Sequence, residues 1–314
     1  MTAPTLHPAG HGTRGTRRSR VPRVAPYLHL LPAVALFGAF VAAPAGYAGY
    51  LSLRASVVSG GGIGLRTERF VGLDRYRDVL SDGEFWSGLG RMLGYTAIVV
   101  PVMLGLALLF ALLLDSPFAR AARFSRIAIF LPYAVPGVIA TLLWGFLYLP
   151  TTSPFNDAAR AVGLTFDPLT SSTIYLAVAN VAIWGGTGFN MLVLHTGLRA
   201  VPGELYDAAR IDGASEWQLA LRVKIPLLTP ALVMCTLFGT ISTLQVFNEP
   251  NTLRPLTSAI STTWMPMMKV YRDAFTNADP YTASAASLVL AAGSLVLSLT
   301  ALRVINRRAF GENR

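Results

Sequence analysis

The sequence predicts an all-α membrane protein: six transmembrane helices, with a polar helix-turn-helix segment between the fourth and the fifth. Three observations carry this reading. The chain of 314 residues is 53% hydrophobic and only 13% charged, with a mean hydropathy of +0.50, whereas soluble domains carry about 25% charged residues. Six apolar runs have bilayer-spanning length, at residues 27–53, 93–114, 127–149, 174–194, 227–247 and 283–304. Between the fourth and fifth of these lies the polar-rich stretch 202–226.

Taken in order, residues 1–26 are rich in Pro, Gly, Thr and Arg, show no apolar period, and read as a disordered basic arm. The first run follows Arg14, Arg17, Arg18, Arg20 and Arg23, as a signal peptide would. It is too long for a signal core and reads as a retained span. Residues 54–90 form a substantial loop before the second run. Pro101, Pro132 and Pro136 interrupt later runs, which bundles accept where neighbouring helices satisfy the freed backbone groups. A transmembrane domain over 27–308 and a tail over 309–314 complete the division.

Charge orients the chain. With the N-terminus in the cytoplasm, the inner segments hold sixteen Lys and Arg against six acids, and the outer segments ten against ten. Basic residues retain cytoplasmic loops, so both termini and residues 202–226 are placed inside. The net charge of +10 therefore reads as topology and contact with anionic membrane lipid, not as a nucleic-acid stripe.

The 202–226 segment reads as two short helices. Pro202 stands where a helix start tolerates proline, and Glu204 and Asp207 put negative charge in the first turn. Gly213 suits a left-handed helix end. Ser215 and Gln218 have capping-box spacing, so a second helix begins at Glu216. Pro226 disfavours helix at Ile225 and marks a stop. Small Ala208, Ala209, Gly213 and Ala214 would let another protein's backbone approach closely.

Signatures of chemistry are missing. The chain has no G-x-x-x-x-G-K-[ST] phosphate loop, no H-E-x-x-H and no G-x-S-x-G, so it reads as a non-enzyme that does not itself hydrolyse ATP. His7, His11, His29 and His195 lack zinc spacing; no metal site is expected, and His195 reads as an interfacial residue. The single Cys235 lies inside an apolar run and reads as a small buried hydrophobe. No carboxylate falls within the six runs, which argues against an ion-driven carrier.

The order Asp207-Ala208-Ala209, Asp212-Gly213-Ala214, then Pro226 resembles the Glu-Ala-Ala loop of ABC importer permeases, with Asp207 in place of the usual Glu. A second resemblance, to the first permease subunit of maltose-type and glycerol-3-phosphate-type importers, runs over about residues 24–308. Phe70, Gly72, Leu73, Tyr76, Phe85 and Trp86 match its outer loop, with Arg75 replacing an Asn. Leu131-Pro132, Pro136, Trp144 and Trp184 follow its third and fourth helices. After the fifth helix the family often has Thr-Gly-Gly-Gly-Pro, where this chain has Phe247-Asn248-Glu249-Pro250.

The resemblance implies a bacterial-type cytoplasmic membrane protein whose 202–226 loop docks on an ATPase subunit. Its implied partners are a second, distinct permease, two ATPase subunits that bind ATP and Mg, an extracytoplasmic solute-binding protein and a carbohydrate. It also favours Gly186, Phe189, Gly239 and Thr243 as substrate-path residues. Sugars show hydroxyl edges and C–H faces, so intramembrane polar and aromatic residues are further candidates. These are Trp144 and Tyr148 on the third helix, Asn180, Trp184, Phe189 and Asn190 on the fourth, Thr240, Thr243 and Gln245 on the fifth, and Asn248 just beyond it. The competing reading is that these residues bridge helices or belong to the aromatic belt. No basic residue sits within the runs away from their ends, so the expected cargo is a neutral mono- or oligosaccharide. Glycerol-3-phosphate or a polyol, a secondary carrier and a membrane-embedded enzyme are the alternatives.

Overall fold

The computed structural model describes residues 25–58, 66–116, 121–163 and 167–310. The expected basic arm, up to residue 24, and the last four residues of the tail lie outside the described residues. Among the described residues, four helices are long and apolar enough to cross a membrane, and two bent helix pairs raise the number to as many as six.

The chain divides at Tyr47 into two units. The first contains α1 (Ala25–Phe37), a widened π turn (Gly38–Ala42) and the beginning of α2 (Ala43–Ser52). Pro44 has no N–H to extend the ladder, and the widened turn lies just before it.

In the second unit, the described part of the loop expected over 54–90 contains regular structure. It holds an antiparallel pair, β1 (Arg54–Val58) and β2 (Arg66–Phe70), and the short helix α3 (Asp74–Ser81). Helix α4 (Gly83–Asp115) starts well before the expected residue 93. The Asp82 carboxylate accepts the Glu84 N–H at 2.8 Å and caps it. Phe85 and Trp86, read as loop aromatics, therefore lie on a helix, and Phe85 is buried.

The third run is not one helix. It breaks into α5 (Ala122–Ala134) and α6 (Gly137–Tyr148), 97° apart, because Pro136 cannot supply the N–H that would carry the ladder on. A short α7 (Pro154–Ala161) leads toward α8 (Ile174–Ala200), which runs past the expected end at 194. There follow α9 (Gly203–Ile211), α10 (Glu216–Leu219), a π turn (Ala220–Lys224) and α11 (Ile225–Leu227).

Helix thus continues through Pro226 instead of stopping there. Pro226 lies in the first turn of α11, where its missing N–H costs least. The chain bends by 66° only after Leu227 and enters α12 (Thr229–Leu244), which ends before the expected 247. Then come α13 (Asn248–Leu253), α14 (Pro266–Tyr271) and α15 (Pro280–Phe310). The last helix takes in residues 309–310, expected in the tail.

The core runs along α4 and α8, which pack against each other over much of their length. Val99, Ala107, Val178, Met191 and Leu194 are fully enclosed there. Helix α5 crosses α8 at Gly188. A methyl group at Gly188 would run into the Ile129 carbonyl and lie 2.8 Å from the Phe130 Cα. His195, read as interfacial, is buried in α8 and meets Arg126 of α5 at 2.9 Å.

A charged clamp holds the end of the bundle where α4 begins. Lys269 of α14 reaches Asp82 at 2.8 Å and Asp273 at 2.6 Å, and Arg272 reaches Glu84 and Asp273, each at 3.1 Å. The Lys269 and Asp273 side chains are almost wholly buried. Burial works against charge at Asp82, but the hydrogen bonds from Lys269 and the Glu84 backbone outweigh it and hold the carboxyl below its ordinary range. Burial likewise opposes charge on Lys269, and its bonds to Asp273 and Asp82 raise it above the ordinary lysine range.

Two tests follow from this packing. Gly188→Ala should lower the unfolding free energy of the purified protein by about 1–3 kcal/mol. Gly105→Ala, with nothing within 4 Å of the added carbon, should be neutral or slightly stabilising; equal melting of the two variants would contradict the α5–α8 crossing. The clamp sets a pH window. The depressed Asp82 contributes fully above its unfolded value of 3.8 and loses its contribution as pH falls below that; the raised Lys269 contributes fully below 10.5 and loses it above. The melting difference between wild type and Asp82→Asn should therefore be flat between about pH 5 and about pH 9 and shrink under acid.

Candidate functional site

The break between α5 and α6 and the end of α12 open a cavity of about 400 Å³ against α4 and α8. Five path candidates line it: Gly186, Phe189 and Asn190 from α8, with Gly239 and Thr243 from α12. A smaller cavity of about 150 Å³ adjoins, lined by Thr243, Gln245, Asn248 and Tyr95. Ala182, Ser242, Thr243 and Glu249 line both.

One wall is aromatic. Tyr133 of α5 stacks on Phe189, with ring centroids 4.9 Å apart and planes at 24°, and both line the larger cavity with Phe238. The polar groups lie deeper. Asn190 donates to the Gly186 carbonyl at 2.9 Å, and the Thr243 hydroxyl lies 2.9 Å from the Gly239 carbonyl oxygen. The Asn190 amide also donates to the Met103 sulfur of α4 at 3.7 Å, so the donors of both residues are used within the protein, which leaves oxygen acceptors for a guest.

The other five path candidates, Trp144, Tyr148, Asn180, Trp184 and Thr240, stand apart from both cavities, and Thr240 is buried in α12. Asn180 donates to the Tyr148 hydroxyl at 2.9 Å, and Tyr148 donates to the Ala177 carbonyl at 3.1 Å, so the pair bridges α8 and α6. Trp144 meets Trp184 edge-on at 5.9 Å and lies parallel to Phe155 at 6.3 Å.

Sequence reasoning did not single out Tyr133, Ser242 or Glu249. Glu249 falls just past the fifth run, so the count of intramembrane carboxylates passed over it. The available signal was its place in Phe247-Asn248-Glu249-Pro250, the segment that departs from the family's glycine-rich turn.

At the other end of the bundle, α9 and α10 meet at Gly213, whose φ of +81° is a glycine conformation. The capping box of Ser215 and Gln218 is closed in both directions. Arg210 joins the two helices, bonding Asp207 at 3.1 Å and Glu216 at 3.0 Å. Glu204, Asp207, Ala208, Asp212, Gly213 and Pro226 are exposed, while Ala209 and Ala214 are half-buried. Two large apolar side chains beside them are exposed as well, Ile211 at 86% and Trp217 at 72%.

This hairpin is moored by charge. Lys224 bonds Asp115, the last residue of α4, at 2.7 Å, with only 5% and 7% of the two side chains exposed. The Lys224 ammonium also lies 5.2 Å from the Tyr206 ring centre, and the Tyr206 hydroxyl donates to the Leu198 carbonyl at 3.2 Å.

Comparison with known proteins identifies the architecture. Residues 83–310 match the family of binding-protein-dependent transport system inner membrane components. The chain belongs to that family. Among curated relatives, the trehalose transport permease SugA of Mycobacterium tuberculosis is 31% identical over 71% of this chain and 70% of its own. The sn-glycerol-3-phosphate transport permease UgpA of Agrobacterium fabrum is 29% identical over 91% and 96%. Among solved structures, a chain of a bacterial ABC transporter involved in alginate import superposes with a TM-score of 0.76, at 21% identity, over 90% of this chain and 95% of its own.

The buried Lys224–Asp115 bond of this permease predicts a stability pattern. Lys224→Met strands a buried carboxylate and should cost about 3–5 kcal/mol, and Lys224→Met with Asp115→Leu should recover most of it. Unfolding of the purified variants in detergent checks this; a double variant no more stable than the single would contradict the pairing.

Proposed function

We propose that this chain is the first-type permease subunit of a binding-protein-dependent ABC importer whose cargo is a neutral mono- or oligosaccharide. The observation that carries the reading is the cavity, where the Tyr133–Phe189 stack offers a face to C–H groups and Thr243, Asn190 and Glu249 offer acceptors to hydroxyls. Family membership and the trehalose permease relative support it.

In this reading both termini lie in the cytoplasm, and the chain pairs with a distinct second permease. An extracytoplasmic binding protein delivers cargo to the end where α4 begins. Two ATPase subunits, which hold ATP and Mg, grip the 202–226 hairpins of the two permeases. Their closure moves the helices between inward-open and outward-open states around the cavity. Exposed Ile211 and Trp217 supply apolar anchors for that grip, and Ala208, Ala209 and Gly213 keep the surface low enough for close approach. The Lys224–Asp115 bond carries the hairpin's motion into α4.

The long match to the glycerol-3-phosphate permease favours a second cargo, glycerol-3-phosphate or a polyol, moved by the same mechanism. The coupling reading is tested in cells that lack this chain and are supplied with radiolabelled trehalose, maltose and sn-glycerol 3-phosphate. Wild type should restore uptake of at least one neutral sugar. Gly213→Pro, which cannot adopt φ +81°, and Ala209→Trp should restore none while reaching the membrane in wild-type amounts. Normal uptake by both variants would defeat the coupling role.

A further inference from the structure

Glu249 is the one residue lining both cavities that carries a formal charge. No salt bridge or hydrogen bond from another side chain reaches its carboxylate among the described residues. A carboxylate set in a wall of Val99, Val181 and Phe238 with no cationic partner has no evident structural task. The clamp carboxylates Asp82 and Asp273, by contrast, are each held by a cation.

A second group in the smaller cavity shares this condition. Tyr95 is 1% exposed, yet its hydroxyl has no hydrogen-bond partner among the described residues. A buried hydroxyl left without a partner costs free energy unless something comes to meet it. Gln245 and Asn248 line the same cavity. The surroundings are therefore rich in groups that pair with hydroxyls, and neither cavity is lined by a Lys, Arg or His. Phosphates and carboxylates are recognised by such cations and by clustered donors.

We propose that Glu249 and the Tyr95 hydroxyl form a selectivity subsite that takes hydroxyl groups of an uncharged, polyhydroxylated cargo and turns away anionic cargo. The proposal rests on the transport reading above and narrows its cargo class. Two vicinal hydroxyls can donate to the two oxygens of one carboxylate, while the phenol donates to or accepts from a third. Burial pushes the Glu249 carboxyl above its ordinary range, but in its ionised form it meets an entering anion with like charge, and no cation lines either cavity to compensate. Specificity then comes from repulsion of the wrong cargo as much as from attraction of the right one.

The test uses the intact transporter that contains this chain, in lipid nanodiscs, with labelled maltose, trehalose and glycerol as neutral probes and sn-glycerol 3-phosphate as the anionic one. Wild type should bind at least one neutral probe and show no saturable binding of the phosphate. Glu249→Gln is nearly isosteric and should admit the phosphate while weakening the best neutral probe by about tenfold, the loss expected when a charged hydrogen-bond partner becomes neutral. Tyr95→Phe should weaken the neutral probe by about fivefold and still reject the phosphate. That split separates selection by charge from a general disturbance of the cavity, which would move both probes together. Neutral binding unchanged in both variants overturns the subsite and leaves the cavity reading standing. Phosphate bound by wild type as well as any neutral probe overturns the subsite. Failure of wild type to bind any probe overturns the cargo reading and the subsite with it.

Discussion

Hydrocarbon offers no hydrogen bonds to the backbone, and that constraint organises this permease. A chain in lipid must satisfy its own N–H and C=O groups, so every departure from helix has to be enclosed by protein or face a water-filled space. The departures here converge. The α5–α6 break puts Pro132, Tyr133, Val135 and Gly137 on the wall of the larger cavity, and the end of α12 with the start of α13 adds Ser242, Thr243 and Glu249 to it. The cavity exists where the helices stop being straight. Continuous α4 and α8 supply the rigid side, and Gly188 lets α5 come close enough to complete it.

Charge does the complementary work at the two ends. Asp82, Lys269, Asp273, Arg272 and Glu84 tie α14 to the first turn of α4, while Asp115 and Lys224 tie the last turn of α4 to the hairpin. Helix α4 is therefore gripped by ion pairs at both tips, and between them its buried face is apolar apart from Thr96 and the Tyr95 hydroxyl. Buried pairs of this kind add little net stability over apolar replacements, but breaking one partner is costly. That property suits a joint that fixes where two elements meet. Movement of the hairpin would reach the cavity along α4, whose Val99 and Met103 line it.

How much of this the sequence disclosed follows from how local each feature is. Apolar runs, the capping box at Ser215 and the glycine turn at Gly213 depend on residues a few positions apart, and they are legible by eye. Helix starts and stops were less so: Asp82 caps α4 earlier than hydropathy alone indicates, and Pro226 is absorbed into a first turn. The Lys224–Asp115 bond joins residues 109 apart, and no period or spacing points to it. Asn180, Tyr148, Trp144 and Trp184 have the composition of a sugar path, yet here they pack α6 against α8, since polar and aromatic residues serve both purposes. Glu249 went unweighted because it follows the apolar run, and only the turn of α13 back against α6 and α8 brings it to the cavity.

The central claim is that cargo rests where the broken helices meet. A structure of the intact transporter with cargo-loaded binding protein, trapped during turnover, tests it most directly. The account predicts cargo density within hydrogen-bonding distance of Asn190 or Glu249 and against the Tyr133–Phe189 stack. Density lodged instead between Trp144, Tyr148 and Asn180, or a cavity filled by side chains in every trapped state, would contradict it.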